Sequence, residues 1–150
     1  MTATSRFTVD TNILIYAVDR SDQAKHMIAE KIVRILIARR AKLPLQCLNE
    51  FYRATTRKRL LQPVEAEMIV RKYMLFTDIE AATPEDLLQA MSLHQQDNLQ
   101  FFDSLLICSA IRTGCTILFS EDFQNGRTFG SLTVHNPFTM EDAELHLLLS

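Results

Sequence analysis

The sequence predicts an α/β protein, a three-layer α/β/α sandwich around a central, mostly parallel sheet. Three observations carry that expectation. Short apolar or β-branched runs alternate with longer segments whose apolar residues recur at helical spacing, and this alternation requires parallel strands joined by helical crossovers. The 150 residues are 47% hydrophobic with three Gly and four Pro, enough for one sizeable core and too few for two ordinary domains. No repeat, low-complexity tract or linker divides the chain, so residues 1–150 are expected to form a single domain, with residues 139–150 as a helical extension.

Taken in order, RFTVD reads as a short buried strand that runs at once into a helix over residues 11–17. Ser21 is placed to cap a long helix reaching about residue 40, with Ile28, Ile32, Ile35 and Leu36 along one apolar stripe. LPLQ is short and apolar enough for a second strand. CLNEFYRATTRKRLL then gives a helix with Leu48, Phe51, Tyr52 and Thr55 inward, and Gln62-Pro63 punctuates it before the helix of VEAEMIVRKYMLF. DIEAA is a weak strand, and Thr83-Pro84-Glu85-Asp86 combines a cap, a first-turn proline and first-turn acids, opening a helix to about residue 96. A break near Asn98 precedes a helix over residues 102–112, stopped by Gly114. TILFS is a β-branched strand, EDFQNGRTFG a turn-rich loop and LTVHN a last strand. In TMEDAELHLLLS, Thr139 with Asp142 three residues on resembles a capping box for a short apolar helix. That helix is expected to pack on its own domain; an exposed cluster of Leu145, Leu147, Leu148 and Leu149 would instead mark a partner surface.

Charge narrows the function classes. The net charge of −2 argues against a strongly basic nucleic-acid binder, yet residues 1–72 carry +7 and residues 73–150 carry −9. Such asymmetry suits a basic face that steers a polyanion, and equally suits basic helices that merely neutralise acidic ones. No run approaches the roughly 18 apolar residues of a membrane span, and MTATSRFTVD lacks a charged-then-apolar signal pattern, so a cytoplasmic location without membrane partners is expected. Cys47, Cys108 and Cys115 are odd in number and lack CxxC spacing, which favours buried reduced thiols over zinc or disulfides.

Four acids stand where apolar segments meet turns: Asp10 in FTVDTNILIYA, Glu50 in LQCLNEFYRATTRK, Asp103 in FFDSLLICSA and Asp122 in ILFSEDFQNG. A charge held against apolar surroundings costs several kcal/mol, roughly, unless something pairs with it. No basic residue lies within two positions of Asp10, Asp103 or Asp122, so a hard divalent cation with oxygen ligands is the cheapest partner. Ligands of open parallel sheets bind beyond the carboxyl ends of the strands, where Asp10 and Asp122 would converge if their strands are neighbours. Simpler roles exist for three of them. Asp10 can cap the helix from Thr11, Asp103 can complement a helix dipole, and Asp122 can make a turn. Glu121 is an alternative to Asp122 as the acid of its segment.

These motifs, in this order and spacing over about residues 7–138, resemble the PIN domain, and most closely its VapC-like branch of ribonuclease toxins. The resemblance implies a metal-dependent endoribonuclease, the toxin of a toxin–antitoxin pair. In it Asp10, Glu50, Asp103 and Asp122 are the catalytic acids and bind Mg²⁺ or Mn²⁺. It further implies that Asn12 supports the first acid, that Ser120 is the small hydroxyl residue before the last acid, and that a small antitoxin blocks the pocket. RNA is the expected substrate and a homodimer the expected assembly. Phe102-Asp103 fits the family's aromatic-Asp pair, whereas the tail from Thr139 extends past its usual end. The chemistry agrees with the likeness: divalent metals lower the pKa of an attacking water and neutralise phosphate oxygens, and carboxylates fix the metals. Arg53 and Arg57 follow Glu50 at i+3 and i+7, on one helical face, where guanidinium groups suit phosphates; Lys58 and Arg59 are as well explained by a solvated face. His94 shares an apolar stripe with Met91 and Ala90 and is expected at the core or its boundary, while His26, His135 and His146 lack ligand spacing.

Two other classes compete. A non-catalytic RNA-binding or assembly module on the same fold would gain nothing from four acids that repel phosphates. A phosphotransfer domain of the haloacid-dehalogenase type would show DxDxT where this chain has DTN, and a receiver would show paired acids in its first loop and a lysine after a late strand.

Overall fold

The computed structural model describes residues 6–150. The element order is β1 (Phe7–Val9), α1 (Thr11–Tyr16), α2 (Gln23–Ala38), β2 (Lys42–Pro44), α3 (Leu45–Arg57), α4 (Pro63–Phe76), β3 (Asp78–Glu80), α5 (Pro84–Asp97), α6 (Phe101–Arg112), β4 (Ile117–Phe119), β5 (Thr128–Phe129), β6 (Leu132–His135), a 3₁₀ turn over Pro137–Thr139 and α7 (Asp142–Leu149). Helices flank a mostly parallel sheet, as the alternation of elements predicts.

β4 lies between β1 and β6, parallel to both, and β5 closes the edge as an antiparallel partner of β6. The register pairs Val9 with Phe119 and Phe119 with His135. Beyond it, the Asp10 amide donates to the Phe119 carbonyl at 2.9 Å and the Ser120 amide to the His135 carbonyl at 3.0 Å, so Asp10 and Ser120 emerge side by side. β2 and β3 form a separate parallel pair. The two sheets meet through a side chain, the Thr8 hydroxyl donating to the Lys42 carbonyl at 2.8 Å.

The strands are buried because both faces are covered, which is why they read as unbroken apolar runs rather than alternating ones. Phe7, Val9, Leu118, Phe119 and Val134 join Ile13, Ile32, Leu36, Phe51 and Leu106 in one core. Phe7 and Phe119 meet edge to face at 5.5 Å, as do Phe51 and Tyr73 at 6.3 Å.

Several boundaries differ from the sequence expectation. Asp22, not Ser21, caps α2, its carboxylate accepting from the Lys25 amide at 3.2 Å; an anion there also complements the helix dipole. The second strand ends at Pro44, and Leu45-Gln46 already belong to α3. EDFQNGRTFG contains β5, whose two residues are too few to show a period. Thr139 closes the 3₁₀ turn, its hydroxyl donating to the Asn136 carbonyl, and α7 starts from Glu141 without a side-chain cap. Leu145 and Leu149 bury into the domain, leaving Leu147 exposed. His94 is exposed rather than in the core; its Nδ1 pairs with the Leu99 carbonyl across the break after α5.

Three helices end in the same way, the second residue past the helix taking a left-handed backbone. For α6 this residue is Gly114 at φ +84°, but for α2 and α3 it is Arg40 at +50° and Arg59 at +57°. In each case its amide and the next one return to carbonyls in the last turn, such as Ala41 to Leu36 and Leu60 to Thr55. Glycine does this freely, whereas a side chain costs about 1 kcal/mol or more.

Asp86 is buried at the amino end of α5, where it completes a capping box with Thr83. It accepts from the Arg112 Nε at 2.9 and 3.0 Å, while the Arg112 Nη2 reaches the Ala81 carbonyl at 3.1 Å. Replacing Arg112 with Ala strands a buried carboxylate and is expected to cost about 2–4 kcal/mol, measurable by urea denaturation; Asp86→Asn with Arg112→Ala should recover part of that loss.

Candidate active site

The site lies beyond the carboxyl ends of β1 and β4. Asp10 ends β1 and caps α1, so the structural role foreseen for it is real. Its carboxylate accepts from the Thr11 amide at 2.7 Å and the Ser120 hydroxyl at 2.8 Å, and only 5% of the residue is exposed. Burial pushes its pKa up from 3.8 to about 7; the hydrogen bonds from Ser120 and Thr11 oppose this, and the charges of Asp122 and Asp103 add to it.

Ser120 connects two acids. Its hydroxyl donates to Asp10 and accepts from the Asp122 amide at 3.1 Å. Asn12, two residues into the DTN segment, donates through Nδ2 to the Ser120 hydroxyl at 3.4 Å and to the Asp122 carboxylate at 3.1 Å. Glu50 is reached from the other side: it accepts from the Thr11 hydroxyl at 2.8 Å and from the Gln46 amide at 3.2 Å. A hydrogen-bonded chain therefore runs from Glu50 through Thr11, Asp10, Ser120 and Asn12 to Asp122.

Asp103 stands in the first turn of α6 and is half-buried. It makes no hydrogen bond to the other three acids among the described residues, but it belongs to the same field. Burial raises its pKa, and the charges of Asp122 and Glu50 raise it further. Gln46 fixes α6 against α3 beside it, donating to the Phe102 carbonyl at 3.1 Å.

Glu121 turns away from this group. It accepts from the Tyr16 hydroxyl at 2.6 Å and the Lys25 ammonium at 2.9 Å, and Lys25 also lies 4.9 Å from the centre of the Tyr16 ring. Of the two neighbouring acids, Asp122 is the one joined to Asn12 and Ser120. Arg53 and Arg57 are exposed on α3, the helix that carries Glu50. Sequence reading leaves out Thr11 and Gln46. The i,i+4 spacing of Gln46 to Glu50 was a visible signal, whereas the Thr11–Glu50 contact joins residues 39 apart.

The donor set suits a hard cation. It is carboxylate, hydroxyl and amide oxygen, with no His or Cys in it. The buried Oδ1 of Asn12 lacks a partner among the described residues, a further oxygen open to a donor or a water. No three Asp, Glu, His or Cys among the described residues are close enough to grip one ion unaided. A hard divalent cation held here would take one or two carboxylates directly and complete its shell with water.

A family model described as PIN domain matches residues 7–127. The chain belongs to the PIN domain family. Among solved structures, this PIN domain is similar to Mycobacterium tuberculosis VapC20, a sarcin-ricin loop cleaving toxin, with 18% identity and a TM-score of 0.60 over 77% of this chain and 89% of that one. It is similar also to VapBC2 from Rickettsia felis, bound to a DNA fragment from its promoter, with 12% identity and a TM-score of 0.62 over 86% and 96%. Both show that the PIN domain shares the fold of VapC-type chains. No curated protein sequence matches it.

Proposed function

We propose that this PIN domain is a metal-dependent endoribonuclease, the toxin of a toxin–antitoxin pair. The observation that carries this reading is the buried Asp10 carboxylate, linked through Ser120 and Asn12 to Asp122 and through Thr11 to Glu50. A carboxylate this desolvated is costly to keep in a merely structural cap, and hydrogen bonds from an amide and a hydroxyl offset only part of that cost. Membership of the PIN family and a fold shared with a toxin that cleaves the sarcin-ricin loop support the same reading.

Asp10, Asp122, Asp103 and Glu50 would hold Mg²⁺ or Mn²⁺, directly or through water. The bound ion would supply charge neutralisation on the phosphate and an acidified water for in-line attack. Ser120 fixes the Asp10 carboxylate and anchors the Asp122 amide, so two acids on different loops keep one geometry. Asn12 orients Asp122, and Thr11 with Gln46 orients Glu50. The substrate is RNA, with Arg53 and Arg57 contacting its backbone beside the acids. A small antitoxin would cover this pocket, in keeping with the partnered state of the Rickettsia felis relative. We further infer a homodimer acting in the cytoplasm; among the described residues no helix is long and apolar enough to cross a membrane.

Incubation of the purified protein with total RNA, with Mg²⁺ and then with excess EDTA, tests the activity; intact RNA under both conditions would leave a binding module on a PIN fold. Arg53→Ala and Arg57→Ala are expected to weaken binding about equally across RNA sequences. Each should flatten the dependence of log K on log salt by about 0.7 for a single-stranded contact, with metal affinity unchanged. Filter binding across a salt series checks this, and an unchanged slope in the double variant would return both residues to a solvated helix face.

A further inference from the structure

A second cationic feature lies at the other end of the sheet from the acids. Arg6, Arg39, Arg40 and Lys42 line a cavity of about 560 Å³ at the start of β1 and β2, with Asp78 on its wall. From Arg6 to Asp10 the chain runs through β1, a separation of roughly 13 Å at extended-strand rise. Lys42 is committed to Asp78 and Glu80, at 2.5 and 2.8 Å, so it neutralises the acids nearest the cavity. Arg39 reaches the Ser150 carbonyl at 3.4 Å. Arg6 and Arg40 are exposed, and no carboxylate pairs with either among the described residues.

Arg40 is the informative member. Its left-handed backbone is the conformation that Gly114 provides at the end of α6. The end of α2 is already satisfied by main-chain bonds, with the amides of Arg39, Arg40 and Ala41 returning to the carbonyls of Ile35, Ile37 and Leu36. The arginine is therefore needed neither for the turn nor for the core. What it adds is a third arginine, beside Arg6 and Arg39, on the lining of one cavity, and guanidinium groups suit phosphate oxygens.

We propose that this cavity binds phosphate groups, and that it holds the RNA backbone at a point remote from the acidic centre. The choice of RNA rests on the nuclease reading; the phosphate chemistry does not. One strand of the sheet would thus separate two unlike surfaces, one that cleaves and one that grips.

The test uses Arg40→Gly, which suits the left-handed backbone and should leave the melting temperature unchanged or raise it, with Arg6→Ala as a second variant. Tripolyphosphate titrated by calorimetry should bind the parent protein, with affinity falling about tenfold in either variant. In an Asp10→Asn background that leaves RNA intact, Arg40→Gly should flatten the salt slope by about 0.7 for a long RNA and not for a trinucleotide confined to the acidic end. Tripolyphosphate affinity unchanged in both variants would overturn the proposal. Lost tripolyphosphate binding with an unchanged RNA slope would overturn it in favour of a small free phosphate ligand. Failure of cleavage with Mg²⁺ would strike the nuclease reading alone, because neither binding measurement depends on turnover.

Discussion

Asp10→Asn is expected to abolish RNA cleavage while leaving the fold intact. Substituting groups that only support metal ligands costs about 10–100-fold, and loss of a ligand itself should exceed that, so the residual rate should fall below about one hundredth of the parent's. The same variant gives a second signal free of turnover. Burial raises Asp10 from 3.8 in an ordinary setting to about 7 in the metal-free fold. Between those values the folded state holds a proton that the unfolded chain has released, so stability falls as pH rises from about 4 to about 7 and stays reduced above that. Asn mimics the neutral acid and escapes this loss. Metal-free Asp10→Asn should therefore match the parent near pH 4 and exceed it by about 1–3 kcal/mol near pH 8, as read by denaturant unfolding. An equal pH dependence in both proteins would show that Asp10 is better solvated than its 5% exposure indicates.

Chelation is the second large effect. Excess EDTA should remove cleavage entirely, and Mg²⁺ or Mn²⁺ should restore it. Ca²⁺ should bind yet support little turnover, because its looser coordination positions water poorly. At a hundred times its dissociation constant, a bound ion stabilises the fold by about 2.7 kcal/mol. A rise in melting temperature on adding Mg²⁺, absent in Asp10→Asn and in Asp103→Asn, would tie the ion to these carboxylates. Full activity in EDTA would refute the metal assignment outright.

Much of this organisation is legible in the chain because each acid breaks an apolar run. Asp10 follows FTV directly and Asp122 comes one residue after ILFS, and strands so uniformly apolar can only be interior, which puts the residues after them at a strand end. What escapes the sequence is whatever depends on contacts distant in the chain. The distinction between Glu121 and Asp122 is made by Lys25, 96 positions from Glu121, and no local pattern contains it. The hairpin strand Thr128–Phe129 is too short to carry a period. His94 sits on a stripe that looks apolar in sequence, yet α5 packs through Ala90 and leaves Met91 and His94 outside. Cap positions slip by a residue where two candidates adjoin, as at Ser21 and Asp22.

The seam between the two sheets bears on how the molecule breathes. β1 and β2 are joined by the Thr8 hydroxyl and not by a ladder, so the unit of β2 and α3 is tied to the larger sheet by side chains, with Leu43, Cys47, Leu48 and Phe51 all in the one core. Cooperative opening of such a unit needs less free energy than global unfolding. Glu50 belongs to that unit, whereas Asp10 and Asp122 lie on the larger sheet, held together through Ser120. An opening at this seam would separate Glu50 from Asp10 and Asp122, so the integrity of the acidic centre depends on the packing of α3 as well as on the ladder between β1 and β4.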